Sequence, residues 1–354
     1  MAKPFVSVLI DTYNHEKFIE QAIVSVLEQD FPPAERELLV VDDGSTDRTL
    51  EIVRKFAPKL RYLHKPNGGQ ASAFNLGIPE CQGQVVAFLD GDDWWAPGKL
   101  TAVARALGDP SIGLVGHGIT EAYADGRLEA QLAREDTRFR VDSEAGARTF
   151  RVRKSFLGTS RMSFRASVLR TIGPTPEALV IQADEYLFTL GAVLSDTLIL
   201  REPLTFYRLH DANAFKTADR NVRILRRKQR VLEALSEALA AALERFGLPA
   251  EARRLIEDTI RSEAELIRLA LDNALPWETV GAELRSYRIE YGEASLGQRL
   301  IKLCGLLPAC FLPSRVYYSW RQRFASVGAY RRLRQKWLPF PEAAHLDRYH
   351  PTRP

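Results

Sequence analysis

The chain has 354 residues, of which 45% are hydrophobic and 27% charged, a composition typical of one large globular domain or of a main domain with an appendage. Its three cysteines are too few and too scattered for a disulfide scaffold or a metal-binding motif, which favours a reducing compartment. No apolar run reaches the roughly 20 residues of a membrane-spanning helix, and no secretory signal is visible, so we expect a cytoplasmic body.

The net charge of +4 is unevenly distributed. Residues 297–354 contain eleven Lys and Arg residues against two acidic ones, whereas the rest of the chain is mildly acidic. A basic segment of this kind suits contact with an anionic surface, but a solvated basic surface has the same composition. Charge alone leaves both interpretations open.

In chain order, the first hundred or so residues alternate short apolar runs with segments of helical periodicity. The apolar runs predict strands at 6–10, 37–41, 60–64 and 84–89. Helices are predicted between them at 18–29, after the capping residues 45–46, and from the turn at 67–69 to residue 76. This alternation indicates right-handed βαβ units, and therefore an α/β fold with a mostly parallel sheet flanked by helices.

Polar clusters follow all four predicted strands, at residues 11–14, 42–43, 67–70 and 90–93. Ligands of open α/β sheets bind at the carboxyl ends of the strands. We therefore expect these clusters on one rim of one sheet, and their convergence is stronger evidence for a site than any single cluster.

The rest of the chain is predicted to complete the sheet domain and then to become helical. Short strands are predicted at 114–115, 163–164 and 197–200. Amphipathic helices at 217–246 and 251–275, the second stopped by Pro276, are expected to form an antiparallel hairpin. We divide the chain into two halves of the sheet domain (1–110 and 111–215), a helical hairpin region (216–296) and a basic amphipathic tail (297–354).

Asp90-Gly91-Asp92-Asp93 is the most informative cluster. Neighbouring carboxylates repel one another and raise each other's pKa, and a divalent cation relieves this repulsion. Oxygen ligands suit Mg²⁺ or Mn²⁺, which bridge carboxylates to substrate phosphates. An isolated Asp-rich turn would be the simpler interpretation, but the position after a buried strand and opposite the other clusters favours a metal site.

Asp42-Asp43-Gly44-Ser45 also follows a buried strand. A carboxylate there can accept a hydrogen bond from a base or from a ribose hydroxyl, or it can cap the next helix. We expect both uses, with one of the two aspartates contacting the ligand.

Four segments together carry a family resemblance: Val8-Leu9-Ile10-x-Thr12-Tyr13-Asn14, Val40-Val41-Asp42-Asp43-Gly44-Ser45-Thr46-Asp47, Asn67-x-Gly69-x-Ala71-x-x-x-Asn75-x-Gly77 and Phe88-Leu89-Asp90-x-Asp92-Asp93. In order and spacing they resemble the family 2 glycosyltransferases. The resemblance implies a Rossmann-like GT-A fold, a nucleotide-sugar donor and inverting sugar transfer.

The resemblance also implies a role for each motif. Tyr13 would lie near the base of the donor, Asp42 or Asp43 would contact the base or the ribose, and Asp90 and Asp92 would hold the metal, with Asp92 as the direct ligand. The residues implied to bind the nucleotide-sugar in these motifs are Thr12, Tyr13, Asn14, Asp42, Asp43, Asn67, Gln70, Asn75 and Asp90.

Two residues depart from the family pattern. Asp11 stands where proline is usual, and Gly91 stands where serine or alanine is usual. Neither departure removes a chemical group that the reaction needs, and Asp11 is expected to alter the donor preference.

The catalytic base is expected beyond these motifs, because an acceptor hydroxyl is a poor nucleophile until a carboxylate takes its proton. In the family this is an aspartate in a short acidic motif that opens a helix. The matching segment begins at Ala183, where a glutamate is usual, and assigns the base to Asp184, with Glu185 as the alternative. Without the resemblance, a carboxylate favoured by the helix dipole explains the segment equally well.

Tyr207-Arg208-x-His210-x-x-Asn213 resembles the family segment after the last strand of this half. Arg208 would contact the phosphates, and His210 would reach the metal or the diphosphate. A lone histidine is more often structural, and the other histidines, His15 among them, lack such a context.

The tail interleaves leucine, tryptophan and tyrosine with arginine, a mixture that suits a membrane interface. We expect a peripheral position on the inner face of the membrane and a glycan or polyprenyl-linked acceptor, and no nucleic acid. A helix packed on the body, or an oligomer contact such as that of a homodimer, is the alternative.

Two other functions would require different sequence features. A nucleotidyltransferase that makes the nucleotide-sugar would have a glycine-rich, basic loop after the first strand, and residues 11–15 do not form one. An inactive nucleotide-sugar-binding module would be expected to lack Asp92 or Asp184, and both are present. We therefore expect an inverting glycosyltransferase with Mg²⁺ or Mn²⁺ and a UDP-linked donor, acting in cell-surface polysaccharide synthesis.

Overall fold

The computed structural model describes residues 5–210, 222–291, 303, 305–326 and 342–344. These residues form two compact units. The sheet unit contains the described residues of 5–140, 153–210 and 342–344, and the helical unit contains those of 141–152 and 222–326. Asn213 and most of the predicted tail lie outside the described residues. The four-part division made from the sequence stays a prediction.

The sheet unit begins with the expected alternation. Its first elements are β1 (Val6–Thr12), α1 (Ile19–Leu27), β2 (Arg36–Asp42), α2 (Thr49–Arg54), β3 (Arg61–His64), α3 (Gln70–Glu80) and β4 (Val85–Asp90). The strands lie in the order β3-β2-β1-β4, and each neighbouring pair is parallel. The predicted βαβ pattern is confirmed for this part of the chain.

The central strand β1 explains why the rim is well formed. Its first five residues are buried, as expected for a strand with neighbours on both edges and helices on both faces. The register pairs Asp11 with Asp90 of β4, and Thr12 with Asp42 of β2. The carboxyl ends of the three strands are therefore level, and their polar residues lie on one rim.

The second part of the sheet unit is mixed. In chain order it contains β5 (Trp94–Trp95), α4 (Lys99–Ala106), β6 (Ile112–Tyr123), β7 (Leu128–Leu132) and β8 (Thr137–Phe139). The chain then enters the helical unit with α5 (Glu144–Arg153). It returns to the sheet unit with β9 (Ser163–Arg165), α6 (Ala166–Ile172), α7 (Ala183–Leu194) and β10 (Asp196–Leu209). β9 lies antiparallel between β4 and β6, and β10 runs parallel to β6. The longest ladders are thus parallel, with shorter antiparallel strands attached.

β6 is much longer than the two residues predicted from the sequence. Its glycines and polar residues interrupt the apolar run on which that prediction rested. Gly116 and Gly118 are needed because other backbone comes close: an added Cβ would lie 2.6 Å from the Phe156 carbonyl oxygen and 2.8 Å from that of Arg201, respectively. Close packing, not hydrophobic patterning, therefore determines the composition of this strand.

The helical unit contains the predicted antiparallel hairpin. α8 (Val222–Arg245) and α9 (Ala250–Asp272) lie side by side, with ion pairs from Lys228 to Glu263 and from Arg253 to Glu244. α9 ends three residues earlier than expected, at the left-handed Asn273. Pro276 begins a further helix, α10 (Pro276–Tyr291), as proline often does at a first helical position.

Part of the predicted tail packs into the two units. α11 (Ser314–Ser326) belongs to the helical unit, where Tyr317 and Tyr318 are buried and therefore unavailable to a lipid surface. β11 (Glu342–Ala344) pairs with β7 in the sheet unit. Within the described part of the chain, the length and polarity of the helices rule out a membrane-spanning helix.

Candidate active site

Carboxylates gather where β4 ends. One potential ligand atom from each of Asp90, Asp92 and Asp93 lies within 4.8 Å of the others. Asp11, which pairs with Asp90 across the sheet, adds a carboxyl group whose Oδ1 atom is buried without a hydrogen-bond partner among the described residues. These residues form the acidic cluster, and their oxygen ligands are those that Mg²⁺ and Mn²⁺ prefer.

Burial and mutual repulsion disfavour the ionised forms of this cluster. Burial, with the charge of Asp92, raises the pKa of Asp11 to about 8 and that of Asp93 to about 8. Burial and the charges of Asp11 and Asp92 raise the pKa of Asp90 well above its usual range. A divalent cation would relieve the repulsion, so the donor set fits the predicted metal, and the structure brings the predicted ligands Asp90 and Asp92 together.

Asp92 has an environment of its own, because two imidazoles flank its carboxylate. The Nε2 atom of His210 lies 3.0 Å from Asp92 Oδ2, and the Nε2 atom of His15 lies 4.0 Å from the same oxygen. Burial opposes ionisation, but the hydrogen bond from His210 and the charges of both histidines outweigh it and lower the pKa of Asp92. The structure therefore places His210 beside Asp92, and its contact with a metal or a diphosphate stays a prediction.

Arg208 forms hydrogen bonds with the acidic cluster that the sequence did not predict. Its backbone N–H donates to Asp93 Oδ1 at 2.9 Å, and its Nε donates to the Asp92 carbonyl oxygen at 2.8 Å. The guanidinium lies over the rings of Phe18 and Trp94, at 4.8 and 4.5 Å from their centroids. These interactions stabilise the acidic cluster. The predicted contact of Arg208 with phosphates stays a prediction.

A short turn at 159–161 joins the acidic cluster to the predicted base. The Ser160 hydroxyl donates to Asp93 Oδ2 at 2.6 Å and accepts from the backbone N–H of Asp90 at 3.1 Å. The preceding residue, Thr159, donates to Asp184 Oδ2 from both its backbone N–H and its hydroxyl, each at 3.1 Å. Two adjacent residues therefore hold both sets of carboxylates.

The turn at 159–161 is also stabilised through the Ser160 carbonyl oxygen. This atom accepts from Lys99 Nζ at 2.6 Å, from Trp95 Nε1 at 3.1 Å and from Thr205 Oγ1 at 2.7 Å. Lys99 is fully buried and lies 3.8 Å over the Trp95 ring. Burial lowers the pKa of Lys99 well below its usual range.

Asp184 and Glu185 open α7 but have different surroundings. Asp184 contacts the turn at 159–161, and its charge acts on Asp11 and Asp90 in the acidic cluster. Glu185 instead forms an ion pair with Lys154 at 2.6 Å. Burial and the charge of Glu185 raise the pKa of Asp184, which suits a group that takes up a proton.

Asp42 and Asp43 are both used within the protein. Asp42 is fully buried, and its carboxylate accepts from the Ser45 N–H at 2.8 Å and from the Tyr62 hydroxyl at 2.6 Å. Asp43 accepts from the backbone N–H groups of Gly68 and Gly69 at 2.9 and 2.7 Å. The predicted helix cap is wrong, because α2 begins only at Thr49 and its N-cap residue Arg48 has no side-chain hydrogen bond that caps it. The ligand contact stays a prediction.

Thr12, Tyr13 and Asn14 lie together at the end of β1. Tyr13 is 45% exposed, which leaves its ring free to meet a base. Asn14 has a left-handed backbone and links the loop after β1 to the loop after β2, because its N–H donates to Ser45 Oγ and its Oδ1 accepts from the Thr46 N–H. The two loops are thereby joined beside the predicted nucleoside position.

The amides predicted to line the donor pocket make contacts within the sheet unit. Asn67 donates to the Asp43 carbonyl oxygen, and both polar groups of the Asn75 side chain bond the backbone of Thr175 at 2.7 Å. Gln70 bridges Thr159 and the backbone N–H of residue 183. Asn75 thus stabilises the backbone of the sheet unit, whereas Gln70 contacts both residues that adjoin the predicted base in space or in sequence.

Comparison with known proteins identifies the family. The family model described as "Glycosyl transferase family 2" matches residues 7–173. An uncharacterized glycosyltransferase of Nostoc sp., alr2836, is 31% identical over 218 residues, which make up 60% of this chain and 67% of the relative. The chain belongs to glycosyl transferase family 2. Other curated relatives are matched over 16% to 59% of their own length.

Solved structures agree with this family. Staphylococcus aureus TarS 1–349, crystallised with UDP, shares 19% identity and a TM-score of 0.51, over 81% of this chain and 90% of that one. The mannosyltransferase PcManGT of Pyrobaculum calidifontis, in complex with GDP-Man and Mn²⁺, shares 20% identity and a TM-score of 0.51, over 93% and 88%. At these identities the likeness confirms the predicted GT-A fold and nothing finer.

Sequence reasoning missed several residues of this family 2 glycosyltransferase. No sequence pattern assigns a role to His15, to the turn with Thr159 and Ser160, or to Lys99. The family model ends at residue 173 and so does not reach Asp184, Arg208 or His210. A signal existed for Lys99, because a lysine within an apolar helix face is rarely buried unless it has a partner.

Proposed function

We propose that the protein moves one sugar from a nucleoside-diphosphate sugar onto an acceptor hydroxyl with inversion of the anomeric carbon. The observation that carries this proposal is the turn at 159–161, which bonds Asp184 through Thr159 and the acidic cluster through Ser160. The group that would accept a proton and the residues that would hold a cation are therefore fixed to one short segment.

Each group then has a defined task. Asp184 takes the proton of the acceptor hydroxyl as that hydroxyl attacks, and a single displacement inverts the carbon. Asp90, Asp92 and Asp93 would hold Mg²⁺ or Mn²⁺, which when bound supplies positive charge to the departing diphosphate. Tyr13, exposed at the rim, offers a stacking surface for the base.

The donor is proposed to be UDP-linked. TarS, which shares the fold, was crystallised with UDP and with UDP-GlcNAc. PcManGT was crystallised with GDP-Man, so the fold accommodates either nucleotide. Asp11 lies among the rim carboxylates where the family usually has proline, and we propose that it contributes to the donor preference.

A thermal-shift panel of UDP-, GDP- and dTDP-sugars tests this function. A ligand that binds only the folded state raises its unfolding temperature. We expect UDP-sugars to raise it with Mn²⁺ and to lose that effect with EDTA. A protein that transfers no sugar but binds donors normally would support the inactive binding module instead.

The acceptor is proposed to be a glycan or lipid-linked glycan at a membrane surface, in cell-surface polysaccharide synthesis. Support comes from the basic segment 297–354 and from exposed apolar side chains in the helical unit, with Leu307 exposed by 59%, Phe311 by 81% and Val316 by 51%. Basic and apolar side chains together suit the surface of an anionic bilayer.

Vesicle sedimentation tests the membrane contact. Truncation at residue 297 is unsuitable, because it removes the buried Tyr317 and Tyr318. Serine at Leu307, Phe311 and Val316 together should release the protein from phosphatidylglycerol vesicles, whereas the exposed Leu128→Ser in the sheet unit should not. Equal sedimentation of both variants would contradict the proposal.

A further inference from the structure

His15 has a side chain and a backbone with separate tasks. Its backbone joins the start of α1, since its N–H donates to Thr49 Oγ1 at 3.0 Å and its carbonyl oxygen accepts from the N–H groups of residues 18 and 19. Its imidazole is not needed for these bonds. The Nδ1 atom instead lies 3.2 Å from Thr12 Oγ1, and the Nε2 atom faces Asp92 Oδ2.

The two imidazoles approach the same oxygen of Asp92. His210 is in hydrogen-bond contact with Oδ2 at 3.0 Å, and His15 Nε2 lies at ion-pair distance from the same oxygen, 4.0 Å away. The ring of Phe18 is near both, with its centroid 4.7 Å from that of His210 and 6.4 Å from that of His15.

Gly91 provides the space that this arrangement needs. A Cβ atom at position 91 would lie 2.8 Å from His15 Nδ1 and 2.6 Å from Thr12 Oγ1, distances at which neighbouring atoms must move. Both are atoms of the Thr12–His15 contact. A residue larger than glycine would therefore disturb the contact between Thr12 and His15.

We propose that His15 is a positioning residue that orients Asp92 for a divalent cation, and that Gly91 is the small residue that admits it. The proposal rests on the cation-dependent sugar transfer proposed above. When the Thr12 hydroxyl donates to Nδ1, the ring proton resides on Nε2 and points towards the carboxylate. His15 and His210 then hold Asp92 from two sides.

Mn²⁺ binding to the full-length protein without any donor tests the proposal. Free Mn²⁺ is followed by electron paramagnetic resonance, and thermal unfolding confirms that each variant is folded. His15→Ala should weaken Mn²⁺ binding roughly 10- to 100-fold, the usual effect of losing a residue that orients a metal ligand. A dissociation constant within about twofold of the wild type would overturn the proposal.

Two conservative variants separate the ring nitrogens. The amide nitrogen of His15→Gln extends towards the position of Nε2, whereas that of His15→Asn reaches only that of Nδ1. Gln should retain most of the Mn²⁺ affinity and Asn should lose it. The reverse order, or equal loss in both, would assign His15 a merely structural role. This comparison holds even where the alanine variant fails to fold.

Gly91→Ala should weaken Mn²⁺ binding, whereas Gly98→Ala should not, because nothing lies within 4 Å of a Cβ at position 98. Gly91→Ala combined with His15→Ala should lose little more than either change alone, since both disturb the same contact. Fully additive losses would overturn the link between the two residues.

If the wild type binds no Mn²⁺, the cation dependence of the proposed function fails together with the role of His15. If the wild type binds Mn²⁺ and the His15 variants bind it equally well, only the proposed role of His15 is overturned.

Discussion

The hydroxyl of Ser160 donates to the carboxylate of Asp93 at 2.6 Å and so ties the turn at 159–161 to the acidic cluster. Ser160 lies 67 positions after Asp93 in the chain. The same hydroxyl accepts from the Asp90 N–H, so that one side chain supports two residues of the cluster. The geometry of the site therefore depends on a residue that need not touch the substrate.

Ser160→Ala tests this dependence. It should cost about 1–3 kcal/mol of unfolding free energy, because a buried carboxyl and a backbone N–H lose their partner. Ser163→Ala is the matched control, since the Ser163 hydroxyl is also buried but has no partner within the described residues, and it should change stability little. Urea unfolding measures both. Equal losses in the two variants would contradict the role of Ser160.

Asp184→Asn should retain donor binding and lose sugar transfer, because the amide cannot take the proton of the acceptor. We expect kcat to fall by about 10²- to 10⁴-fold, the usual contribution of a general base. Glu185→Gln should keep most of the activity, since Glu185 pairs with Lys154. Initial rates with a donor and a soluble acceptor decide the matter, and the opposite ranking would move the base to Glu185.

The pH dependence of kcat should report the surroundings of Asp184. Burial and the Glu185 charge raise the pKa of Asp184, and only the ionised form acts as a base. Activity should therefore fall as the pH drops through this raised pKa. Glu185→Gln removes the neighbouring negative charge and lowers the pKa, so the acid limb should move to lower pH. An acid limb at the same pH in the variant would contradict the effect of the Glu185 charge on the pKa of Asp184.

Asp92→Asn should abolish Mn²⁺-dependent stabilisation by the donor, because the amide keeps the shape of the side chain but removes a charged ligand. Asp125→Asn is the control, since Asp125 is exposed and pairs with Arg127 at the surface. Thermal unfolding with donor, with and without Mn²⁺, measures the effect. Full stabilisation of the Asp92 variant would remove this residue from the metal site.

The donor rim could be predicted because its signal is local. The strands β1, β2 and β4 are apolar runs that end in polar residues, and the parallel arrangement brings those ends together. The turn with Thr159 and Ser160 has no such pattern, because three residues carry no periodicity. Its importance arises from contacts with residues 25 to 89 positions away in sequence.

The two histidines near Asp92 show the same limit of prediction from local sequence patterns. His210 was predicted through a motif, whereas His15 was set aside although both reach Asp92. What distinguishes His15 is the space beside Gly91, and free space is a property of three-dimensional packing. Asn75 fits a motif equally well, yet both polar groups of its side chain bond the backbone of Thr175.

The Ser160 carbonyl oxygen, shared by Lys99, Trp95 and Thr205, links positions that are far apart in the chain. Loss of one donor changes what the other two must supply, so the three positions should vary together among natural sequences instead of independently. They would be inherited as an epistatic block. A chimera that joins the first hundred residues of one enzyme to the base-bearing half of another should therefore work only when this set is transferred intact.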